Sequence, residues 1–456
     1  MTEAKDTAPR ETSEGAAIPI ASNPQVSAMA KAAALLHVDN AEREALAVPG
    51  LEAASGEVTS AAVIGAGAMG AGIATCFATA GISVTLVDIS AEAVEHGLAA
   101  IRQNCEIAVA KGKMTREACD HALAGVASAT DYGAIRNADL VVEAVFEDLA
   151  LKKRVFAELD RACKPEAILA TNTSYLDIDA IAGATRRPYR VLGLHFFNPA
   201  HIMKLLEIVR AGATSGATLA AGVDIARRLR KTGVVAGVGF GFIGNRMLNA
   251  YRTHALNLAL EGAAIAQIDK AMAAFGMPMG PFALMDLTGL EVNVKMRAQA
   301  DPDLIDARAF EVVDQLYAMG RTGQKSGAGF YRYEGGSRAA LLDPDVDAMI
   351  AGVAARHGVV RRATIADEDI VDRCLLTLVN EGARILKERI ALRSGDIDVT
   401  YVAGYGFPRH LGGPMYWAEQ QGLGAIAARL QRYSVQATPL LASAAQEGLS
   451  FDQALR

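Results

Sequence analysis

The run Gly65-Ala66-Gly67-Ala68-Met69-Gly70 constrains this chain more than any other feature. It follows an apolar stretch, AAVIG, that reads as a strand, and it opens a helical stretch, while Asp88 closes the next apolar run, SVTLVD. The three glycines serve different ends. Gly65 permits a tight turn, Gly67 lets the backbone come close to a pyrophosphate, and Gly70 lets the helix lie against its strand. Amides exposed at the helix start then bind the pyrophosphate. Asp88 is placed to accept hydrogen bonds from ribose hydroxyls and to repel a 2′-phosphate, which favours NAD over NADP. A glycine-rich turn that serves only packing is the bland alternative, and strand, helix and acidic residue in one context weigh against it. Alone, the motif implies hydride transfer with the substrate unspecified.

Apolar runs bounded by glycine recur as ADLVVEAV, AILATN and VLGLHFF, separated by helical stretches. Strands alternating with helices imply parallel β-α-β units. The expected fold is therefore an α/β doubly wound (Rossmann) NAD domain over residues 58–240, ending near Gly241 after KTGVVAGVG. Residues 1–57 read as a tail, flexible over 1–25, with one or two short amphipathic helices over 26–47. Beyond Gly241 the periodicity is helical. Two stretches, GFIGNRML onward and IVDRCLLTLVNEG onward, run in the same order: Asn/Asp-Arg, Glu-Gly-Ala, Ile-Asp, then a Gly-Pro turn. Such self-similarity means duplicated structure. Two related all-α domains are expected, at 241–335 and 363–456, with 336–362 as a linker.

With 51 acidic against 45 basic side chains and a net charge of -6, the chain shows no electrostatic footprint for nucleic acid or an anionic membrane surface. Its 5 cysteines form no C-x-x-C pair, so neither a disulfide framework nor a metal site is expected, and a reducing compartment is. Acidic residues through MTEAKDTAPRETSEG exclude a secretory signal. No window approaches the about 18 unbroken apolar residues of a membrane span. The closing Ala454-Leu455-Arg456 is not the peroxisomal Ser-Lys-Leu signal, so cytoplasm is the expected location.

Three further segments, ATNTSYLDI, GLHFFNPAHIMKLLEIV and GFIGNRML, narrow the chemistry. With VIGAGAMGAGIA and VVEAVFEDLALKKRVFAELD they make the chain resemble the L-3-hydroxyacyl-CoA dehydrogenase family from about residue 60 to the end. Its later part, with the second helical copy and GYGFPRHLGGPM, is similar to the C-terminal half of multifunctional fatty-acid oxidation proteins. The resemblance implies an acyl-CoA thioester substrate, with His195 as general base and Glu207 as its partner. The chemistry agrees, because a 3-hydroxyl losing hydride must also lose a proton, and a near-neutral imidazole steadied by a carboxylate suits that transfer. Ser174 matches a serine beside nicotinamide and the substrate hydroxyl, and Asn245 an asparagine on the acyl group. Met69, Val145, Phe146, Glu147, Lys152 and Asn198 match residues lining the NAD site, and Tyr405 matches a substrate-contacting tyrosine. Taken singly, a histidine in a strand such as His195 is more often a satisfied core or surface residue, and Ser174 or Asn245 read as helix caps. Their joint order favours function.

Only about 60 residues precede the dinucleotide fold, so hydratase, isomerase and epimerase activities are expected to be absent. The second helical copy is expected to stand in for a dimer partner, giving a monomer with an intrachain pseudo-dimer. Two rivals remain: a dehydrogenase for a 3-hydroxy acid without coenzyme A, and a non-catalytic NAD-binding or assembly module of a β-oxidation complex.

Overall fold

The computed structural model describes residues 24–53, 56–298, 300, 305–335 and 337–456. The flexible tail expected for 1–25 lies outside the described residues up to residue 23, and Pro24 already begins a helix. In chain order the elements are α1 (Pro24–Glu44), β1 (Ser60–Ile64), α2 (Ala68–Thr79), β2 (Ser83–Val87), α3 (Ala91–Ala110), α4 (Arg116–Ala124), β3 (Val126–Ala129), β4 (Leu140–Glu143), α5 (Leu149–Ala162), β5 (Ile168–Thr171), α6 (Ile178–Ala182), β6 (Val191–Phe196), β7 (Leu205–Arg210), α7 (Gly216–Arg228) and β8 (Thr232–Gly237). Helices follow: α8 (Gly244–Leu260), α9 (Ile265–Phe275), α10 (Pro281–Thr288), α11 (Leu290–Arg297), α12 (Ala307–Ala318), α13 (Pro344–Arg356), α14 (Asp367–Lys387), α15 (Ser394–Tyr405), α16 (Pro414–Gln421), α17 (Leu423–Arg432), α18 (Pro439–Glu447) and α19 (Phe451–Ala454).

The eight strands form one sheet in the order β3-β2-β1-β4-β5-β6-β7-β8. Unbroken apolar runs make its centre, because a sheet covered by helices on both faces has no wet side. Along β1, Ala61 and Val63 pack into one core while Ala62 and Ile64 pack into the other, the period of two expected of a strand. The chain builds outward from β1 through β2 and β3, then returns to place β4 on β1's other side. That reversal opens a crevice at the carboxyl ends of β1 and β4, where such sheets bind ligands. One strand that the apolar runs did not reveal, β7, runs antiparallel to β6, so the sheet is mixed. Only a short turn through Asn198–Pro199 joins them, and a parallel crossover would need a dozen or more residues.

The N-terminal segment is a single 21-residue helix, not one or two short ones. It is clasped by the second helical copy: His37 Nε2 lies 2.8 Å from Asp398 and its ring stacks on Tyr416, while Arg409 pairs with Glu42 at 2.7 Å and with Asp39 at 2.5 Å. The stretch 336–362, expected to be a linker, carries α13, whose Val346, Ile350 and Val353 are buried in the same core as α8.

The duplication is visible in matching stereochemistry. In each copy a helix ends on a left-handed glycine, Gly276 after α9 and Gly406 after α15. In each, a carboxylate on the preceding helix takes the first amides of a helix that opens Gly-Pro. Asp269 accepts from Phe282 and Ala283, both at 2.9 Å, and Asp398 from Met415 at 2.7 Å and Tyr416 at 3.2 Å. The copies face each other about a pseudo-two-fold axis. Arg246 on α8 pairs with Glu388 just past α14, and Arg373 on α14 pairs with Glu261 just past α8. The Glu-Gly-Ala correspondence is corrected by this register: Glu261 matches Glu388, and Glu381-Gly382-Ala383 lies inside α14.

Candidate active site

Two neighbouring strands set the centre of the site. His195 on β6 and Glu207 on β7 are direct partners in the antiparallel register, so both side chains leave the sheet on one face, one strand spacing apart. His195 Nδ1 and Glu207 Oε2 are 2.7 Å apart, and both residues are buried. The other Glu207 oxygen accepts the amides of Ile243 at 3.1 Å and Gly244 at 3.0 Å, the N-cap and first residue of α8. One carboxylate therefore steadies the imidazole and ties the helical part to the sheet. Phe197 and Phe242 flank the ring at centroid distances of 4.5 and 5.6 Å, leaving Nε2 as its polar outlet. That atom lies 3.2 Å from Ser174 Oγ.

Ser174 sits in a turn beyond β5 organised by Glu147. One Glu147 oxygen accepts from Thr173 Oγ1 at 2.6 Å and from the amides of Ser174 and Tyr175 at 2.8 and 3.1 Å. Below this loop lies a buried network that sequence reasoning missed. Glu143, at the end of β4, accepts from Lys152 Nζ at 2.7 Å, Val145 N at 2.7 Å and Thr171 Oγ1 at 2.8 Å. Lys152, at 1% exposure, thus holds the loop from beneath instead of facing the cleft. A carboxylate closing an otherwise apolar strand, LVVE, was the available signal for Glu143.

Asn245 stands one residue into α8 from the Glu207 bonds, and its Oδ1 accepts from Tyr405 Oη at 3.0 Å. The second helical copy thus contributes a side chain to the site. Because the hydroxyl occupies Oδ1, the amide nitrogen is the group left to donate. Tyr405 and Tyr401 stack at 4.9 Å, and burial holds both phenols well above their ordinary range.

The glycine-rich turn fits a dinucleotide. A methyl group on Gly65 would stand 2.7 Å from the Ala144 carbonyl, and one on Gly70 would collide with the Gly65 carbonyl. Gly67 instead faces open space, and α2 begins there without a side-chain cap, leaving its first amides free for an anion. Asp88 accepts from Ala66 N at 2.8 Å, which locks the turn to the end of β2, and Ile89 beside it is 94% exposed. An apolar shelf next to that carboxylate has the shape to take a flat base; nothing in the sequence had marked it. Met69 and Val145 are half-buried near the crevice, and Phe146, 85% exposed, and Asn198 are exposed on loops beyond β4 and β6. Among the described residues there is no cluster of metal-binding side chains, and no helix is long and apolar enough to cross a membrane.

Comparison with known proteins agrees with this architecture. Residues 60–240 match the family model for the 3-hydroxyacyl-CoA dehydrogenase NAD binding domain, and residues 241–333 match that for the family's C-terminal domain. The chain is 41% identical to the peroxisomal bifunctional enzyme of Danio rerio over 390 residues, 83% of this chain and 54% of that protein. It therefore spans about half the length of the curated relatives it matches. A solved structure of 3-hydroxybutyryl-CoA dehydrogenase from Escherichia coli superposes with TM-score 0.75 at 29% identity, covering 86% of this chain and 99% of that one. The dehydrogenase part of multifunctional enzyme 1 from Caenorhabditis elegans does so with TM-score 0.62 at 29% identity, covering 92% and 96%.

Proposed function

Since the chain belongs to the 3-hydroxyacyl-CoA dehydrogenase family and carries that family's NAD-binding domain, we propose that it is an NAD-dependent (S)-3-hydroxyacyl-CoA dehydrogenase of fatty-acid β-oxidation. The observation that supports this most directly is the chain of contacts Ser174 Oγ, His195 Nε2, His195 Nδ1 and Glu207 Oε2, at 3.2 and 2.7 Å, lying at the mouth of the dinucleotide crevice.

Glu207 takes the proton-bearing Nδ1 side of the ring, which fixes the tautomer and leaves the Nε2 lone pair beside Ser174. His195 removes the proton from the substrate's 3-hydroxyl, and Glu207 stabilises the imidazolium that results. Ser174 orients that hydroxyl between itself and the ring. The free amide N–H of Asn245, held by Tyr405, donates to the thioester carbonyl and fixes the acyl group relative to His195. The dinucleotide supplies hydride acceptance at its nicotinamide ring. Gly65, Gly67 and the first turn of α2 bind its pyrophosphate, Asp88 its ribose, and the loops of Met69, Val145-Phe146, Glu147 and Asn198 surround it, with Lys152 supporting from below. A cytoplasmic site of action is proposed with this activity, whereas several relatives are named as peroxisomal enzymes; fractionation of cytosol from peroxisomes decides between them.

The test is NADH absorbance with acetoacetyl-CoA. Oxidation of NADH that is feeble with NADPH and falls roughly 10²- to 10⁴-fold in His195→Gln is expected. Binding of NADH without turnover would shift the reading to a non-catalytic module, and faster turnover of free acetoacetate than of its thioester would remove coenzyme A from it.

A further inference from the structure

Among the described residues, four that are not glycine have positive φ: Arg230, Phe242, Arg389 and Ser434. Three of them are exposed and stand two residues past the end of a helix, α7, α14 and α17, where a left-handed residue ordinarily closes the last turn. Phe242 is the exception. It precedes a helix, its φ is 48°, and it is wholly buried. A bulky side chain in that region is strained, and such strain persists only where the surroundings impose it.

The surroundings here are the crossing from β8 to α8 through GVGFGFIGN. A methyl group on Gly239 would stand 2.4 Å from Ile390 Cδ1, and one on Gly241, where φ is 75°, 2.8 Å from the Arg246 nitrogen. The Phe242 amide donates to the Gly239 carbonyl at 3.0 Å, closing a tight turn just before the helix. A further glycine at 242 would take the left-handed conformation freely. What phenylalanine adds is its ring, which lies against the His195 imidazole at a centroid distance of 5.6 Å and an interplanar angle of 59°.

The backbone carries the larger consequence. Moving Phe242 to a relaxed right-handed or extended conformation swings the next peptide group, whose N–H belongs to Ile243. That N–H and the Gly244 N–H are the two donors to Glu207 Oε1. Helix α8 begins without a side-chain cap of its own, so Glu207 takes that place from the sheet. With Oε1 held there, Oε2 meets His195 Nδ1 at 2.7 Å. The start of α8 has little room to shift in compensation, since a methyl group on Gly244 would stand 2.7 Å from the Tyr405 hydroxyl.

We propose that Phe242 is a positioning residue for the His195–Glu207 pair: its left-handed backbone aims two amides at one oxygen of Glu207, which turns the other oxygen to the imidazole, and its ring closes one side of that imidazole. The inference rests on the dehydrogenase reading of the site. Phe242 itself exchanges no proton.

The test uses two isomeric side chains. Leucine and isoleucine are equal in volume and apolarity, but isoleucine branches at Cβ and tolerates positive φ less well. With NADH and acetoacetyl-CoA, Phe242→Leu is expected to lower kcat by less than about five-fold, and Phe242→Ile by roughly 10- to 100-fold. KM for both substrates should stay within about two-fold of wild type in each variant, because positioning a proton-transfer pair leaves ground-state binding alone. Should Phe242→Ile fail to bind NADH, Phe242→Gly and Phe242→Ala carry the comparison: neither has a ring, only alanine has a Cβ, and kcat should be several-fold higher in the glycine variant. Equal kcat within the pair that is compared overturns the role of Phe242 alone. A rise in KM that accounts for the lost activity does the same, since it moves the defect to the cleft. A wild-type protein that turns over no thioester overturns the dehydrogenase reading and this inference together.

Discussion

Glu207 accepts from three groups at once, one imidazole and two backbone amides, so replacing it does more than remove a charge. In Glu207→Gln the amide end must face either the ring or the start of α8, and one of those contacts becomes repulsive. We expect kcat to fall roughly 10²- to 10⁴-fold while NADH still binds, measured by turnover and by NADH fluorescence. Loss of NADH binding as well would mean that the carboxylate supports the crevice instead of the imidazole. Much at this scale was legible in the sequence. His195, Glu207 and Ser174 stand in motifs whose order survives in the chain, and the structure brings them within hydrogen-bond distance. The roles of Lys152 and Tyr405 were not legible, because the direction a side chain takes depends on its neighbours: Lys152 turns under its loop to Glu143, and Tyr405 reaches Asn245 across 160 residues of chain.

At the level of elements, the turn from α9 to α10 depends on Asp269. Burial pushes this carboxyl up to about 6, although Phe282 N, Ala283 N and the Tyr331 hydroxyl all donate to it. Because its folded pKa is raised above the ordinary value, the folded chain holds an extra proton between roughly pH 4 and 6. The stability contributed by this group therefore falls as pH rises through that window and is level above it. Asp269→Asn does not titrate there and puts an N–H against donors. At pH 7 it should cost about 1–3 kcal/mol, and the wild-type advantage in Tm should widen as pH is lowered from 6 toward 4. An advantage that narrows over that range would contradict the assignment. Five of the eight strands could be read from apolar runs. The strands that were not read lack that signal: β3 is VASA at a sheet edge, β7 is interrupted by Glu207 and Arg210, and β8 by Gly233 and Gly237. Helix α13 was taken for linker because it follows a Gly-Gly turn and carries only a narrow buried face.

Over the whole molecule, the two helical copies cover each other's apolar faces. Pro408 packs on Gly276 and Pro278 on Gly406, the same contact made twice in opposite senses, and the crossed pairs Arg246–Glu388 and Arg373–Glu261 repeat the pattern. A face already filled from within the chain has no need of a second copy, so sedimentation should give the mass of one chain. Twice that mass would show that another surface pairs. The duplication was legible because its Gly-Pro turns and Ile-Asp pairs recur in order. Its register was not, since an alignment by Glu-Gly-Ala slips one copy along α14, and only the crossed ion pairs fix it. The pairing of unlike halves also has a genetic consequence. In an assembly of identical subunits every substitution is made twice, at both copies of a surface, and must be tolerated in both settings. Here each is made once. Tyr405, which closes α15 against Asn245, has Phe275 as its counterpart at the end of α9, and Asn245 has Asp372. Each half has kept one member of the bonded pair, Asn245 in the first and Tyr405 in the second, while the counterpart position in the other half has been free to change.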